Sequence, residues 1–162
     1  MNEILLIRDV ELHEANALSK LAMRSKAYWG YSAEFMTACK NELLVSPSKL
    51  ESSKFHYMVA ECRGEIKGFY ALEHLSESIF ELEAIFVEPK YIGSGIGRAL
   101  ITHAKKYAAE IGGSSLIIQG DPNAEKFYRA AGGELTGERE SASIPGRFLP
   151  TFSISLVSEN VA

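Results

Sequence analysis

Apolar positions alternate in some stretches of the chain and recur every three to four residues in others. The first pattern predicts strands, and the second predicts amphipathic helices. The elements predicted for the first part of the chain are a strand at Glu3 to Ile7, a helix from Asp9 to about Arg24, and a helix from about Ala33 to Leu44. Asp9 and Ser32 are the expected N-caps, and the Ser46-Pro47 pair is expected to end the second helix.

Three β-rich runs follow in quick succession in the middle of the chain. They are His56 to Cys62, Ile66 to Leu75 and Ile79 to Val87. Only a few turn residues separate each run from the next, and such short links predict an antiparallel meander. Pro89 is expected to end the third of these strands, because proline cannot donate a hydrogen bond to a sheet.

The last part of the chain returns to alternating helices and strands. The predicted elements are a helix from about Gly95 to Ile111, a buried strand at Ser115 to Ile118, a helix from Pro122 to Ala131, and strands near Glu134 to Arg139 and Thr151 to Val157. The predicted order is βααβββαβαββ. It indicates an α+β fold, with helices on both faces of a mixed, mostly antiparallel sheet, in a single domain over residues 1–162.

Composition and charge exclude several classes of protein and leave the predicted architecture unchanged. With 46% hydrophobic and 23% charged residues, the chain has the composition of a globular domain and not of a disordered one. The net charge is −4 and no run of Lys and Arg occurs, so no nucleic-acid partner is expected. No signal peptide or membrane-length apolar run is recognised, and Cys39 and Cys62 are expected to be reduced thiols. A cytoplasmic protein without a membrane partner is therefore expected.

A glycine-rich turn, Gly93-Ser94-Gly95-Ile96-Gly97, lies between the strand that ends at Val87 and the next predicted helix. Glycines let backbone N–H groups approach a ligand closely, and a helix N-terminus adds partial positive charge. The turn is therefore a candidate phosphate site. Its spacing fits neither a P-loop nor a dinucleotide fingerprint, since Arg98 stands where the third glycine of the latter belongs. A helix start without any ligand is the alternative interpretation of these glycines alone.

The stretch from Leu82 to Leu100, LEAIFVEPKYIGSGIGRAL, resembles the acetyl-CoA-binding core of the GNAT superfamily of N-acetyltransferases. In that family a strand ends in V-x-P before [Q/R]-x-x-G-x-[G/A] and a helix. Asn123 to Gly132, NAEKFYRAAG, is similar to the family's later helix, A-x-x-[FL]-Y-x-x-x-G. The order of the two motifs and of the predicted elements is also that of the family. Ile92 replaces the family's Gln or Arg at the head of the turn, so only backbone donors and Arg98 are expected there.

This resemblance implies an acetyl-CoA-dependent enzyme that moves an acetyl group to a primary amine by direct attack. It implies that the strand before the turn contributes backbone groups if a bulge separates that strand from its neighbour. The residues expected to contact CoA are Ala84, Ile85, Phe86, Val87, Ile92, Gly93, Ser94, Gly95, Ile96, Gly97, Arg98, Asn123 and Tyr128. Tyr128 is also expected to protonate the departing CoA thiolate. A core aromatic and a helix cap are the alternative interpretations of Tyr128 and Asn123.

Two carboxylates on the strand before the turn, Glu81 and Glu83, are the candidates for the base. An alkyl amine has a solution pKa of about 10.4, so a proton must be removed before it attacks. The two residues are two positions apart and are expected to face the same side of the sheet. The pattern does not choose between Glu81 and Glu83. The alternative interpretation is that neither is a base and that both are solvated side chains on an exposed strand face.

The acceptor is expected to be a small-molecule or peptide amine. Tyr28, Trp29 and Tyr31 could hold a cation or line an apolar slot, and Arg147 could meet a carboxylate of the acceptor. Alternatively, Tyr28 and Trp29 pin the junction of the first two helices to the core. The four histidines have no spacing that suggests a metal site, and His103 is expected at the surface.

Two other functions stay open from the sequence. One is a catalytically silent acyl-CoA sensor or regulatory domain on the same fold, and the other is a structural or partner-binding domain that binds no CoA. The resemblance also leaves open a homodimer, which is frequent in this family.

Overall fold

The computed structural model describes residues 4–157 of the chain. Its helices are α1 (Ala15–Ala27), α2 (Ala33–Leu43), α3 (Pro47–Glu51), α4 (Ile96–Glu110) and α5 (Glu125–Ala130). Its strands are β1 (Leu6–Asp9), β2 (Phe55–Cys62), β3 (Glu65–His74), β4 (Ile79–Val87), β5 (Ser115–Gln119), β6 (Glu134–Glu140) and β7 (Phe148–Ser155). Short 3₁₀ turns lie at Leu12–Glu14, Pro89–Tyr91 and Pro122–Ala124.

The seven strands form one sheet in the order β1-β2-β3-β4-β5-β7-β6. The pair β4–β5 is parallel, and the other five pairs are antiparallel. Helices α1 and α2 pack on one face of this sheet, and α4 packs on the other. The predicted α+β class, the mostly antiparallel sheet and the helices on both faces are confirmed.

Alternation along β3 explains how the two faces form two cores. Phe69 and Ala71 belong to the cluster under α1 and α2, whereas Tyr70 and Leu72 belong to the cluster under α4. All four side chains are fully buried. Since both faces of the central strands are covered, their sequence is a nearly continuous apolar run.

The start of α1 differs from the prediction. Asp9, expected as the N-cap, is the last residue of β1 and pairs with Met58 of β2. The Glu3 end of the predicted first strand lies outside the described residues. The helix is instead preceded by a 3₁₀ turn in which the Glu11 N–H donates to Glu14 Oε1 at 2.8 Å. Arg8 of β1 bonds Glu14 at 2.8 Å, so an ion pair to the first strand fixes the turn that precedes the helix.

The Ser46-Pro47 pair ends one helix and begins another. Ser32 caps α2 as predicted, accepting a bond from the Phe35 N–H at 3.1 Å. The prediction that the Ser46-Pro47 pair only stops a helix was incomplete, because the Ser46 hydroxyl accepts from the Lys49 N–H at 3.3 Å and caps α3. Proline is well tolerated in the first turn of a helix, where its missing N–H has no acceptor anyway.

His103 is half-buried, not at the surface as expected. Its Nδ1 lies 2.7 Å from the hydroxyl of Tyr70, because the face of α4 that carries His103 packs on β3.

Tyr28 and Trp29 are more exposed than the alternative interpretation expected. They are 53% and 42% exposed, so neither pins the helix junction to the core. None of the helices within residues 4–157 has the length and hydropathy to cross a bilayer.

The contact between β3 and β4 leaves no room for a side chain at Gly68, which pairs with Val87. A β-carbon there would lie 2.7 Å from the backbone oxygen of Phe86 and 3.1 Å from Leu100 Cδ1. We expect Gly68→Ala to lower the free energy of unfolding by about 1–3 kcal/mol, because overpacking must move β4 or α4. Urea denaturation measures the change. Ser76→Ala, in the exposed β3–β4 turn, is the control and should leave the unfolding midpoint unchanged.

Candidate active site

Strands β4 and β5 separate soon after they pair. Their register covers only Ile79 to Glu81 on β4, opposite Ser115 to Ile117 on β5. Beyond this point β4 stays paired with β3 as far as Val87, while β5 continues along β7. The β5-facing backbone groups of residues 84–87 therefore have no strand partner and can bind an extended ligand.

A bulge in β4 lies just beyond this separation. Ala71 of β3 faces Ala84, and Leu72 faces Leu82, so Glu83 is an extra residue on β4. Such a bulge bends its strand and increases the local twist. The strand separation that the family resemblance implied is thus present, and Glu83 lies where the two strands begin to separate.

Glu83 lies in a cleft between the end of α2 and the bulged strand. The residues that line this cleft are Glu42, Leu43, Leu44, Val45, Tyr57, Phe69, Glu83, Ala84 and Phe86. The Glu83 side chain is 21% exposed, and its cation partner, Lys49 Nζ, is 3.7 Å away. Burial raises the pKa of Glu83, the charges of Glu73 and Glu81 raise it further, and Lys49 opposes the shift. A carboxylate in this setting is a better proton acceptor than one in water.

Glu81 lies on the same face as Glu83, since the intervening Leu82 packs toward α4. Its surroundings are different. Glu81 Oε1 lies 3.3 Å from Arg139 Nη1 of β6, and the same nitrogen donates to Gln119 Oε1. A guanidinium ion therefore compensates the charge of Glu81 across the sheet, whereas Glu83 faces the cleft.

The glycine turn has the backbone conformation of an anion site. Gly93 and Gly95 have φ values of 89° and 96°, which favour glycine, and Gly95 is the N-cap of α4. A β-carbon at either position would meet only open space. The N–H groups of Ile96, Gly97 and Arg98 lie in the first turn of α4, where a helix supplies no acceptor. These N–H groups therefore line an open cradle suited to a phosphate.

Other residues of the turn have different roles. Gly97 permits close packing, because a β-carbon there would lie 3.2 Å from the Phe127 ring. Ile92 is half-buried, and Arg98 is exposed beside the first turn of α4. Below the turn, Lys67 Nζ lies 3.7 Å from the centre of the Tyr91 ring and fixes the segment that precedes the glycines.

Tyr128 of α5 is held beside the separated strands by close packing. A β-carbon at Gly120, directly after β5, would lie 2.7 Å from its ring. The ring of Phe152 is 5.6 Å away. Tyr128 is 7% exposed, and its hydroxyl makes no hydrogen bond to another residue in the range 4–157. Burial raises the pKa of Tyr128 and the charge of Asp121 adds to the effect, so the hydroxyl stays protonated.

The remaining predicted residues divide into two groups. Tyr28 and Trp29 pack edge-to-face on each other at the surface, 5.4 Å between ring centres. Tyr31, Asn123 and Arg147, in contrast, meet in one network. The Asn123 amide donates to the Tyr31 hydroxyl at 3.0 Å and to Asp121 at 2.9 Å, so its side chain already has protein partners.

Sequence reasoning missed two members of this network, Lys26 and Asp121. Lys26 Nζ lies 2.9 Å from Asp121 Oδ2, although the two residues are 95 positions apart. Burial opposes ionisation of Asp121, but the bond and the charge of Lys26, together with the bonds from Tyr31 and the Asn123 N–H, outweigh it and lower the pKa of that carboxyl. The sequence carried only a local signal, an Asp-Pro pair typical of a turn before a helix.

Comparison with known proteins agrees with this geometry. A family model described as an acetyltransferase (GNAT) domain matches residues 53–132. A curated relative, the peptidyl-lysine N-acetyltransferase YjaB of Escherichia coli (strain K12), is 29% identical over 76 residues. That match covers 47% of this chain and 50% of YjaB, so the chain spans about half the length of this relative.

Solved structures share the fold over nearly the whole chain. A GCN5-related N-acetyltransferase from Rhodopseudomonas palustris has a TM-score of 0.77 at 21% identity, over 96% of this chain and 98% of its own. The PaiA N-acetyltransferase of Thermoplasma acidophilum, solved with coenzyme A, has a TM-score of 0.72 at 20% identity, over 94% and 99%. The ribosomal-protein-S18-alanine N-acetyltransferase of Escherichia coli has a TM-score of 0.71 at 17% identity, over 98% and 99%. At these identities the likeness shows the fold.

The raised pKa of Glu83 predicts that its charge destabilises the folded protein. The folded state binds the proton of the Glu83 carboxyl more tightly than the unfolded state does. The protonated carboxyl therefore stabilises the fold at low pH, and this stabilisation is lost as pH rises through the pKa of Glu83 in the folded state. We expect Glu83→Gln to raise the melting temperature at neutral pH. The gain should vanish below about pH 4, where the unfolded carboxyl is also protonated.

Thermal unfolding across this pH range measures the effect. Glu77→Gln, in the exposed β3–β4 turn, is the matched control and should leave the melting temperature unchanged at every pH. A Glu83→Gln variant that is less stable than the wild type at neutral pH would contradict the expectation.

Proposed function

Because the chain carries a GNAT acetyltransferase domain, we propose that it transfers the acetyl group of acetyl-CoA directly to a primary amine. One observation carries the proposal. Strands β4 and β5 separate beside a glycine turn, leaving the β5-facing backbone of residues 84–87 without a strand partner next to Tyr128 and Glu83. From this arrangement we infer where acetyl-CoA would bind, which residues would catalyse the transfer and what kind of amine would accept the acetyl group.

The open backbone fits the chemistry of coenzyme A. Its pantetheine arm carries amides, which can pair with the backbone of residues 84–87 as an added strand would. Its pyrophosphate suits the N–H groups at the start of α4, between Gly93 and Arg98. Ile92 adds no polar group, so binding would depend on backbone donors and on the exposed Arg98. The cofactor supplies an acyl group activated as a thioester.

Glu83 is the proposed base, acting directly or through a water molecule. A cationic amine that enters the cleft lined by Tyr57, Phe69 and Phe86 would meet this carboxylate. The raised pKa of Glu83 reduces the energetic cost of taking a proton from the ammonium group. Glu81 is the weaker candidate, because Arg139 already pairs with it, and its charge acts on Glu83 from the same face.

Tyr128 is the proposed acid. Glu83 first takes one proton from the ammonium group and leaves a neutral amine. The amine nitrogen then forms a bond to the acyl carbon while the carbon–sulfur bond breaks, and the Tyr128 hydroxyl donates its proton to the departing sulfur. Tyr128 recovers the one proton that the nitrogen loses as the amide forms, so the amide keeps one N–H, and Glu83 releases its proton to solvent. Tyr128 is buried as a residue, but its hydroxyl has no hydrogen-bond partner within residues 4–157 and is not an enclosed atom, so it is free to make this bond.

The cleft favours an alkyl ammonium group as the acceptor. Tyr57, Phe69 and Phe86 provide apolar and aromatic contacts for methylene groups, and Glu42 and Glu83 attract the charge. A small-molecule amine or a peptide lysine would satisfy these contacts, and the matched relative YjaB is named for peptidyl-lysine. A single domain over residues 1–162 and a cytoplasmic location stay predictions.

The first test concerns CoA binding. We expect acetyl-CoA at one hundred times its dissociation constant to stabilise the protein by about 2.7 kcal/mol. Gly95→Ala should lose most of this gain, because it strains the turn at a φ of 96° and puts a methyl group into the open cradle. Gly112→Ala is the matched control at the other end of α4, with a φ of 100° and the same open space.

Thermal shift with increasing acetyl-CoA measures both variants. The two substitutions should cost similar stability in the absence of ligand, since both place a side chain in left-handed backbone. Equal loss of the ligand-induced shift in both variants would contradict the site. The absence of any shift in the wild type would favour a structural domain that binds no CoA.

The second test concerns catalysis. We expect Tyr128→Phe and Glu83→Gln each to lower kcat by roughly 10²–10⁴-fold, the usual contribution of a general acid or base. Both variants should keep the acetyl-CoA thermal shift. Wild-type kcat/KM should fall as pH drops through the raised pKa of Glu83, because the base must be ionised. Release of free CoA thiol with an amine library measures turnover.

Glu81→Gln is the matched control and should lower kcat less than Glu83→Gln. Undiminished turnover in Tyr128→Phe would remove Tyr128 as the acid. A wild-type protein that binds acetyl-CoA but acetylates no amine would instead be a catalytically silent sensor.

A further inference from the structure

The Tyr31 hydroxyl is the centre of a hydrogen-bond network on the α1/α2 face. It donates to Asp121 Oδ2 at 2.7 Å. It accepts from Asn123 Nδ2 at 3.0 Å and from Arg147 Nη2 at 2.8 Å. A single oxygen atom thus uses its one proton and both of its lone pairs on protein partners. We call Lys26, Tyr31, Asp121, Asn123 and Arg147 the tyrosine clamp.

The tyrosine clamp joins three separate segments of the chain. Tyr31 lies in the link between α1 and α2, Asp121 and Asn123 lie between β5 and α5, and Arg147 lies between β6 and β7. The contact from Arg147 to Tyr31 spans 116 positions, and that from Tyr31 to Asp121 spans 90. Loops on a surface are usually the most mobile parts of a domain. Here one hydroxyl ties three of them together.

Burial and ring stacking strengthen these bonds. The Lys26 and Asp121 side chains are 11% and 13% exposed, and they lie 2.9 Å apart. The Tyr31 ring stacks on Phe35, with 4.0 Å between ring centres. The Arg147 guanidinium lies 5.2 Å from the Tyr31 ring and 4.9 Å from the Phe35 ring. A charged network in such a poorly solvated place loses much when one member is removed.

The tyrosine clamp adjoins the proposed acid, Tyr128, and its hydrogen bonds do not reach the backbone of residues 84–87 or 92–98 that is proposed to bind CoA. Asn123, which was expected to contact CoA, bonds Tyr31 and Asp121. Asp121 directly follows Gly120, which packs against the Tyr128 ring, and its charge contributes to the raised pKa of Tyr128. Tyr31 packs against the same buried cluster as Leu43, Tyr57 and Phe69, which line the cleft proposed for the acceptor. Loss of the clamp should therefore act on the acceptor side of the site.

We propose that the Tyr31 hydroxyl is a positioning group that holds the α1–α2 link as the acceptor-side wall of the active site. The proposal rests on the acetyl transfer proposed above. Tyr31 acts through Asp121 and Arg147 and does not touch the reacting atoms. It also changes the role expected for Arg147, which has an internal carboxylate, Asp121, at 3.7 Å in place of one on the acceptor.

The bond from Tyr31 to Asp121 persists over the working pH range. Burial, followed by the bond to Asp121, raises the pKa of Tyr31 to about 12. The hydroxyl therefore stays protonated between about pH 6 and pH 9 and continues to donate. The effect of removing it should be independent of pH in that range, which distinguishes a positioning hydroxyl from one that exchanges protons in the reaction.

Kinetics of Tyr31→Phe test the proposal. We expect the acceptor KM to rise about tenfold at every pH in this range, since the hydroxyl loses charge-assisted hydrogen bonds to Asp121 and Arg147, and such a loss typically has at least an effect of this order. The KM for acetyl-CoA should not change. Tyr107→Phe is the matched control, because it removes one hydrogen bond, to His56 Nδ1 at 3.3 Å, on the α4 face. Both KM values should keep their wild-type size in the control. An unchanged acceptor KM in Tyr31→Phe, or an equal rise in both KM values, would overturn the proposal.

Trp29 gives a second readout that does not need activity. It is the single tryptophan of the chain and lies two residues before Tyr31. We expect Tyr31→Phe to lower the fluorescence anisotropy of Trp29 and to increase its quenching by acrylamide, with no change in Tyr107→Phe. Unchanged fluorescence in Tyr31→Phe would show that the hydroxyl does not hold this segment. If the wild type acetylates no amine, the proposed function and the acceptor role fail together, while Trp29 still decides whether the clamp positions the link.

Discussion

The candidate site depends on one constraint, a parallel strand pair that separates after three residue pairs inside an otherwise antiparallel sheet. The extra residue in β4, Glu83, bends the strand away from β5 while its pairing with β3 continues to Val87. Backbone groups inside a sheet are normally all paired, so this opening presents polar groups that are available to water or to a ligand. Other parts of the site, including the turn, Tyr128 and the cleft, are arranged around this opening.

The same bulge accounts for the electrostatics of the site. Its extra residue is a carboxylate, and the bulge turns it into a cleft between α2 and the sheet, where burial raises its pKa. Glu81, one pleat earlier, lies where β4 and β5 still pair and meets Arg139. Two chemically identical side chains thus differ because one lies before the strand separation and the other lies at it. Environment, and not residue type, distinguishes a proton acceptor from a charge that is already compensated.

Local features of the fold could be predicted from the sequence, and contacts between distant segments could not. The bounds of β4 and the Ser32 cap follow from neighbouring residues and were predicted correctly. Asp9 was misplaced because pairing with β2 extends β1 through it. His103 was misplaced because its partner, Tyr70, lies 33 positions away. The bonds among Lys26, Asp121 and Arg147 have no local pattern, so the sequence predicted Arg147 as an acceptor contact without Asp121.

This difference explains why the sequence indicates the cofactor but not the acceptor. A pyrophosphate site made of backbone N–H groups depends on glycines at particular φ values, and glycines in a turn form a readable motif. We expect such a site to tolerate Ile92 in place of the family's Gln or Arg, because the backbone would supply the donors. The proposed acceptor side consists of side chains from α2, β2, β3 and β4 and of a clamp across three loops. Its specificity is a property of the assembled fold, so experiments on the acceptor must begin from the geometry around Glu83 and Tyr31.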